Sequence, residues 1–111
     1  MDKWYKREEL PQIGQADLQF YDHQYKVIEL SRITPVQKER LEANRIKQLT
    51  KIRSGRYVPI VLDKNFKIIN GHHRYDVLNE LGYKRAKVAI INESLETIIE
   101  KSTSKKDILV G

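Results

Sequence analysis

Two β-rich runs, Tyr57–Leu62 (YVPIVL) and Phe66–Ile69 (FKII), are separated only by the turn formers Asp63-Lys64-Asn65, and the second passes straight into Asn70-Gly71 and an apolar-striped stretch ending at Leu81. β-branched runs bounded by turn residues read as a hairpin. Asn-Gly followed by helical periodicity reads as a helix start. With so little chain between these elements, the helix must pack back on the sheet that the hairpin begins. Gly82 stands where a left-handed C-cap would end that helix, and Lys87–Ile91 (KVAII) supplies a further strand.

Upstream, Tyr25–Leu30 (YKVIEL) alternates as a strand does. Thr34-Pro35-Val36-Gln37 has the form of a capping box, with Thr34 as N-cap, Pro35 at N1 and Gln37 at N3. It predicts a helix running to about Arg53, with Leu41, Ile46, Leu49 and Ile52 as its buried stripe and Ser54-Gly55 as its stop. Residues 1–24 carry apolar anchors without period, broken by Pro11 and Gly14, and predict an arm with short helical pieces laid on a domain spanning 25–100. Ser94–Glu100 predicts a short helix. Lys101–Lys106 (KSTSKK) predicts a frayed polar tail within residues 101–111. The sum is one α+β domain, a small mixed sheet with packed helices.

Charge narrows the partners. Lys and Arg number 21 against 15 Asp and Glu, a formal net charge of +6, which favours nucleotides, nucleic acid or other anions. Lys84, Arg85 and Lys87 form the densest basic cluster in the core of the chain. The chain has no cysteine, which excludes disulfides, thiolate metal sites and a cysteine nucleophile. It contains no apolar run near the roughly 20 residues needed to span a bilayer. The first residues, MDKWYKREE, lack the apolar core of a signal peptide, so the expected location is the cytoplasm.

Chemistry concentrates in Ile68-Ile69-Asn70-Gly71-His72-His73-Arg74-Tyr75. A helix N-terminus presents unpaired N–H groups and a partial positive charge, and acidic side chains are its favourable occupants. Here His72, His73 and Arg74 occupy the first turn, which calls for an external anion such as phosphate. Gly71 allows close approach of the backbone to that anion. Arg74 shares a face with Leu78 and Leu81, so its guanidinium leaves bulk water and needs an anionic partner. An internal carboxylate, with Glu29 the nearest by pattern, is the alternative to a phosphate. Adjacent histidines point about 100° apart on a helix and do not chelate one ion as an i, i+4 pair does, so no intrinsic metal site is expected.

The segment Pro59–Ile91 (PIVLDKNFKIINGHHRYDVLNELGYKRAKVAII) resembles the core of the ParB N-terminal-domain/sulfiredoxin superfamily, with Gly71-His72-His73-Arg74 as the G-x-x-R turn. Val27–Gln37 (VIELSRITPVQ) resembles that superfamily's first strand and following loop. The likeness covers about residues 25–92. It implies a fold that binds nucleotides, with the G-x-x-R turn gripping phosphates. Known members include CTP-binding partition proteins, sulfinic-acid reductases that use ATP, free-serine kinases, and phage or plasmid ParB-like nucleases. Sulfiredoxin activity needs a cysteine where His72 stands, so the likeness does not extend to it. The helix-turn-helix region of a partition protein is not expected after Gly111. A kinase would need an acidic base, for which Glu29 and Glu39 are the candidates.

The resulting expectation is a nucleoside triphosphate with Mg²⁺ held at Asn70, Gly71, His72, His73 and Arg74, with Gln37, Lys38 and Arg40 reaching the ligand from the loop before them. Nucleic-acid association would come from the basic surface. If the protein is an enzyme, a nuclease, NTP hydrolase or phosphotransferase, then His73 and His72 are the acid–base candidates. A non-catalytic interaction module is the other class. Trp4, Tyr5 and the Ile108-Leu109-Val110 end are candidates for contact with a second copy.

Overall fold

The computed structural model describes residues 3–110, with side chains described through 102. Four strands form one mixed sheet in the order β1-β4-β2-β3. They are β1 (His23–Glu29), β2 (Ile60–Leu62), β3 (Ile68–Asn70) and β4 (Arg85–Ile91). β1 pairs antiparallel with β4, β2 parallel with β4, and β3 antiparallel with β2. Three helices complete the order: α1 (Glu42–Arg53), α2 (His72–Glu80) and α3 (Leu95–Val110). This is the α+β architecture that the hairpin-to-helix run implies.

The sheet separates two apolar layers because side chains alternate along each strand. Ile60, Leu62, Ile68, Val88 and Ile90 face Ile52 of α1 and Val77 and Leu78 of α2. Val61, Ile69, Ala89 and Ile91 face the other way, toward Leu95 and Ile98 of α3 and toward Tyr5, Leu10, Ile13 and Leu18 of the N-terminal segment. Central strands buried on both faces read as continuous apolar runs, which is why IVL and VAII stand out in the sequence. The N-terminal segment carries two short 3-10 turns, Arg7–Glu9 and Gln15–Phe20. Tyr5, expected to be free for a second copy, is instead core.

Several element boundaries move. Thr34-Pro35-Val36-Gln37 does not open a helix: α1 begins at Glu42 after Leu41, which makes no side-chain capping bond. The quartet is extended because its backbone is held from two sides. Thr34 bridges Lys67, accepting from Ile68 N–H at 3.0 Å and donating to Phe66 O at 2.9 Å. Val36 O accepts from Tyr5 N–H at 2.7 Å. Leu41 and Ile46 are exposed, so the buried side of α1 is Leu49 and Ile52 alone. Leu30 leaves β1 for a 3-10 turn. α3 continues through Val110, so the expected tail at 101–106 is helical backbone. The Ile108-Leu109-Val110 side chains lie outside the described residues. Among the described residues no helix is long and apolar enough to cross a membrane.

Candidate functional site

The turn between β3 and α2 is shaped by Gly71, whose φ of +120° lies in the region that favours glycine. Asn70 locks the turn to the N-terminal segment, its Nδ2 donating to Ile13 O at 2.8 Å. α2 starts with no side-chain cap and with no acidic residue in its first turn, so its positive end is uncompensated from within. Arg74 folds back over the turn, and Nη2 donates to Asn70 O at 3.3 Å. Its Nε is buried without a hydrogen-bond partner, and burial holds its pKa below the ordinary arginine value. Glu29 is exposed and does not partner Arg74. It stands beside Tyr75 and Tyr83 in a different hollow.

The two histidines have another task than the sequence suggests. His72 is 4% exposed, and its Nε2 accepts backbone N–H bonds from Val36 at 3.0 Å and Gln37 at 3.2 Å. His73 Nε2 accepts from Leu41 N–H at 3.0 Å. Burial, followed by the positive charge of Arg40, pushes His72 down to about 3. Burial, with Arg40 as the next cause, also lowers His73. Both rings therefore staple the extended loop 36–41 to the start of α2 as neutral acceptors. Donation to a phosphate through Nε2, or acid–base work there, conflicts with these bonds. Arg40 adds a further clamp, its Nε donating to Asp76 Oδ2 at 2.5 Å and its Nη1 to the Gln37 carbonyl.

The stapled loop, the turn, α1 and the N-terminal segment enclose a cleft of about 280 Å³. The turn contributes Asn70, Gly71, His72, His73 and Arg74; Leu10, Pro11 and Ile69 give it a small apolar patch. Gln37 lines it too, while its Nε2 is tied to Glu39 O at 2.7 Å. Lys38 does not line it and lies over the Trp4 ring, 5.2 Å from its centroid. Glu39 is bound to the Arg7 N–H at 3.0 Å, outside the lining. Among the described residues, no carboxylate side chain lines the cleft.

Five polar lining residues escape the motif reading: Arg7 and Gln12 from the N-terminal segment, and Asn44, Lys47 and Gln48 from α1. The last three repeat at i, i+3 and i+4 on one helix face, and that polar face is the signal that could have found them. Arg7 and Gln12 carry none, because nothing local shows that the arm folds back. Other cations near the cleft are paired, Arg40 with Asp76 and Arg45 with Glu42 and Glu80. Among the described residues, the side chains of Arg7 and Lys47 have no ion-pair partner. Among the described residues the cleft therefore holds three cations with no ion-pair partner, Arg7, Lys47 and Arg74, at an uncapped helix start. That arrangement suits a multivalent anion. Among the described residues, no three His, Asp or Glu side chains gather as metal ligands do.

No family profile matches the chain, and no curated protein matches it. Solved structures do. Two structures of a pNOB8-like ParB N-domain superpose with TM-scores of 0.59 at 17% and 16% identity, covering 68% of this chain and 32% and 30% of theirs. A free serine kinase in complex with AMP superposes with a TM-score of 0.54 at 27% identity, covering 61% of this chain and 31% of that one. The chain thus spans about a third of the length of the structures that it matches. In its four-stranded mixed sheet, with the turn after β3 feeding α2, the chain has the fold of the pNOB8-like ParB N-domain.

Proposed function

We propose that the protein binds a nucleotide in this cleft, with the phosphates at the Gly71–Arg74 turn. The observation that carries the reading is the set of three cations without an ion-pair partner among the described residues, Arg7, Lys47 and Arg74, around the uncapped start of α2. In this reading the first N–H groups of α2 and the Arg74 guanidinium take phosphate oxygens. His72 and His73 hold the loop that forms one wall. A nucleoside triphosphate suits the charge of the lining, and Mg²⁺ would be carried by the phosphates, since the described residues of the lining offer it no carboxylate. The AMP complex of the structurally similar serine kinase supports the reading.

Association with nucleic acid is the second reading, favoured by the exposed Lys84, Arg85 and Lys87 at the start of β4. Phosphate backbone contacts would make it strongly salt-dependent.

A thermal-shift series with ATP, CTP, GTP, UTP and short DNA, each with Mg²⁺, on wild type and Arg74→Ala tests both. A ligand at 100 times its dissociation constant stabilises by about 2.7 kcal/mol, several degrees for a domain of this size. The expected result is a shift with triphosphate that is lost in Arg74→Ala. A folded wild type with no response to any nucleotide would overturn the reading. A response to DNA alone would leave the second reading standing.

A further inference from the structure

The nucleotide reading, on which this inference rests, does not say which part of the ligand the protein recognises. The lining answers in its chemistry. Its cations come from three separate elements, Arg7 from the N-terminal segment, Lys47 from α1 and Arg74 from α2. A single phosphate group satisfies few such groups, whereas a chain of phosphates offers oxygens to more of them. Between the cations stand carboxamides, among them Gln12, Asn44 and Gln48, which donate to oxygen anions as readily as to a base edge.

What would hold a nucleobase is missing from the same surface. No Trp, Tyr or Phe lines the cleft, so the stacking that aromatic side chains give any base is not on offer there. Of the exposed aromatics, Phe20 lines a neighbouring hollow that shares Leu10, Pro11 and Gln12 with the cleft, and the others sit farther off. Trp4 lies under Lys38, Tyr25 under Lys87, and Tyr83 in the hollow beside Glu29. The two imidazoles line the cleft with Nε2 already engaged by loop N–H groups. The volume of about 280 Å³ also lies at or below the small end of roughly 300–1,000 Å³ for pockets that enclose a whole small-molecule ligand.

We propose that the cleft recognises a phosphate chain by its charge, and that the nucleoside lies outside it and contributes little to affinity. The ligand class is then a linear triphosphate, with or without a base. Arg7 and Lys47 are the residues that distinguish a chain of phosphates from one phosphate, because they stand on the walls rather than at the turn.

Isothermal titration at fixed ionic strength tests this with ATP, CTP, GTP, UTP, tripolyphosphate, pyrophosphate and inorganic phosphate. The four nucleotides should bind within about threefold of one another, and tripolyphosphate within about tenfold of them, a step of one 1.4 kcal/mol increment. Pyrophosphate should be weaker than tripolyphosphate by about tenfold. The exposed pair Arg7→Ala/Lys47→Ala should keep its fold by circular dichroism. It should lose tenfold or more on tripolyphosphate while inorganic phosphate changes little. One nucleotide bound about 100-fold tighter than the other three, with no tripolyphosphate binding, would overturn this inference and leave the nucleotide reading intact. No binding of any nucleotide or polyphosphate by a folded protein would overturn both.

Discussion

The Arg74 guanidinium lies so close over Gly71 that an ideal Cβ on residue 71 would stand 2.9 Å from Nη2 and 3.2 Å from both Nε and Ile60 Cγ1. Residue 71 is thus constrained twice, by its positive φ and by the cation above it. Gly71→Ala is expected to cost about 1–3 kcal/mol of stability and to displace Arg74. Urea denaturation gives the first effect, and a weakened response to triphosphate gives the second. An alanine variant as stable as wild type would contradict the geometry.

The Arg74 Nε is buried without a hydrogen-bond partner, and in the proposed reading the guanidinium meets an anion from outside the chain. An unpaired buried polar atom costs on the order of 1–3 kcal/mol, so Arg74→Met should leave the unliganded protein at least as stable as wild type. The same variant should lose its thermal response to triphosphate. A marked drop in unliganded stability would instead mean that Arg74 holds the fold.

Acid should loosen the loop that the histidines hold. His72 is depressed from 6.5 to about 3 in the folded chain, so between those values the unfolded chain binds more protons. Stability then falls as pH falls through this window, by up to about 1.4 kcal/mol per pH unit for this one group. His73, lowered as well, acts in the same direction. Denaturation midpoints between pH 7 and 4 should show the slope. His72→Gln should make it shallower.

Asp63 is fully buried and accepts backbone N–H bonds from Asn65, Lys67 and Leu95 at 2.7–2.8 Å. It ties the β2–β3 turn to the start of α3. Asp63→Ala leaves three donors without that acceptor and should cost about 3 kcal/mol. Chemical denaturation measures it, and a loss below about 0.5 kcal/mol, the size of an ordinary surface substitution, would show that water replaces the carboxylate at no penalty.

The parts of the fold that are visible in the sequence are those set by neighbours along the chain. β2, the Asp63-Lys64-Asn65 turn, β3 and α2 appear close to their expected places, and Gly82 takes a φ of +83° after α2 as expected. The quartet Thr34–Gln37 misleads because a capping box is a local pattern, whereas Lys67, Tyr5 and His72 claim its backbone from far away. That cations crowd an uncapped helix start at His72–Arg74 is legible from the sequence. That Glu29 is not the partner, and that Arg7 and Lys47 stand opposite, depends on how the arm and α1 fold over the turn.

The His72–Val36 bond joins positions 36 residues apart, and Asn70–Ile13 joins positions 57 apart. The cleft therefore exists only as a product of the whole tertiary structure. A peptide carrying Ile68–Tyr75, or that octet grafted onto another scaffold, would keep the letters of the motif without its far wall. Ligand capture at this cleft, as proposed, would double as a readout of complete folding, and a variant that loosens the arm would lose it long before its helices unwind.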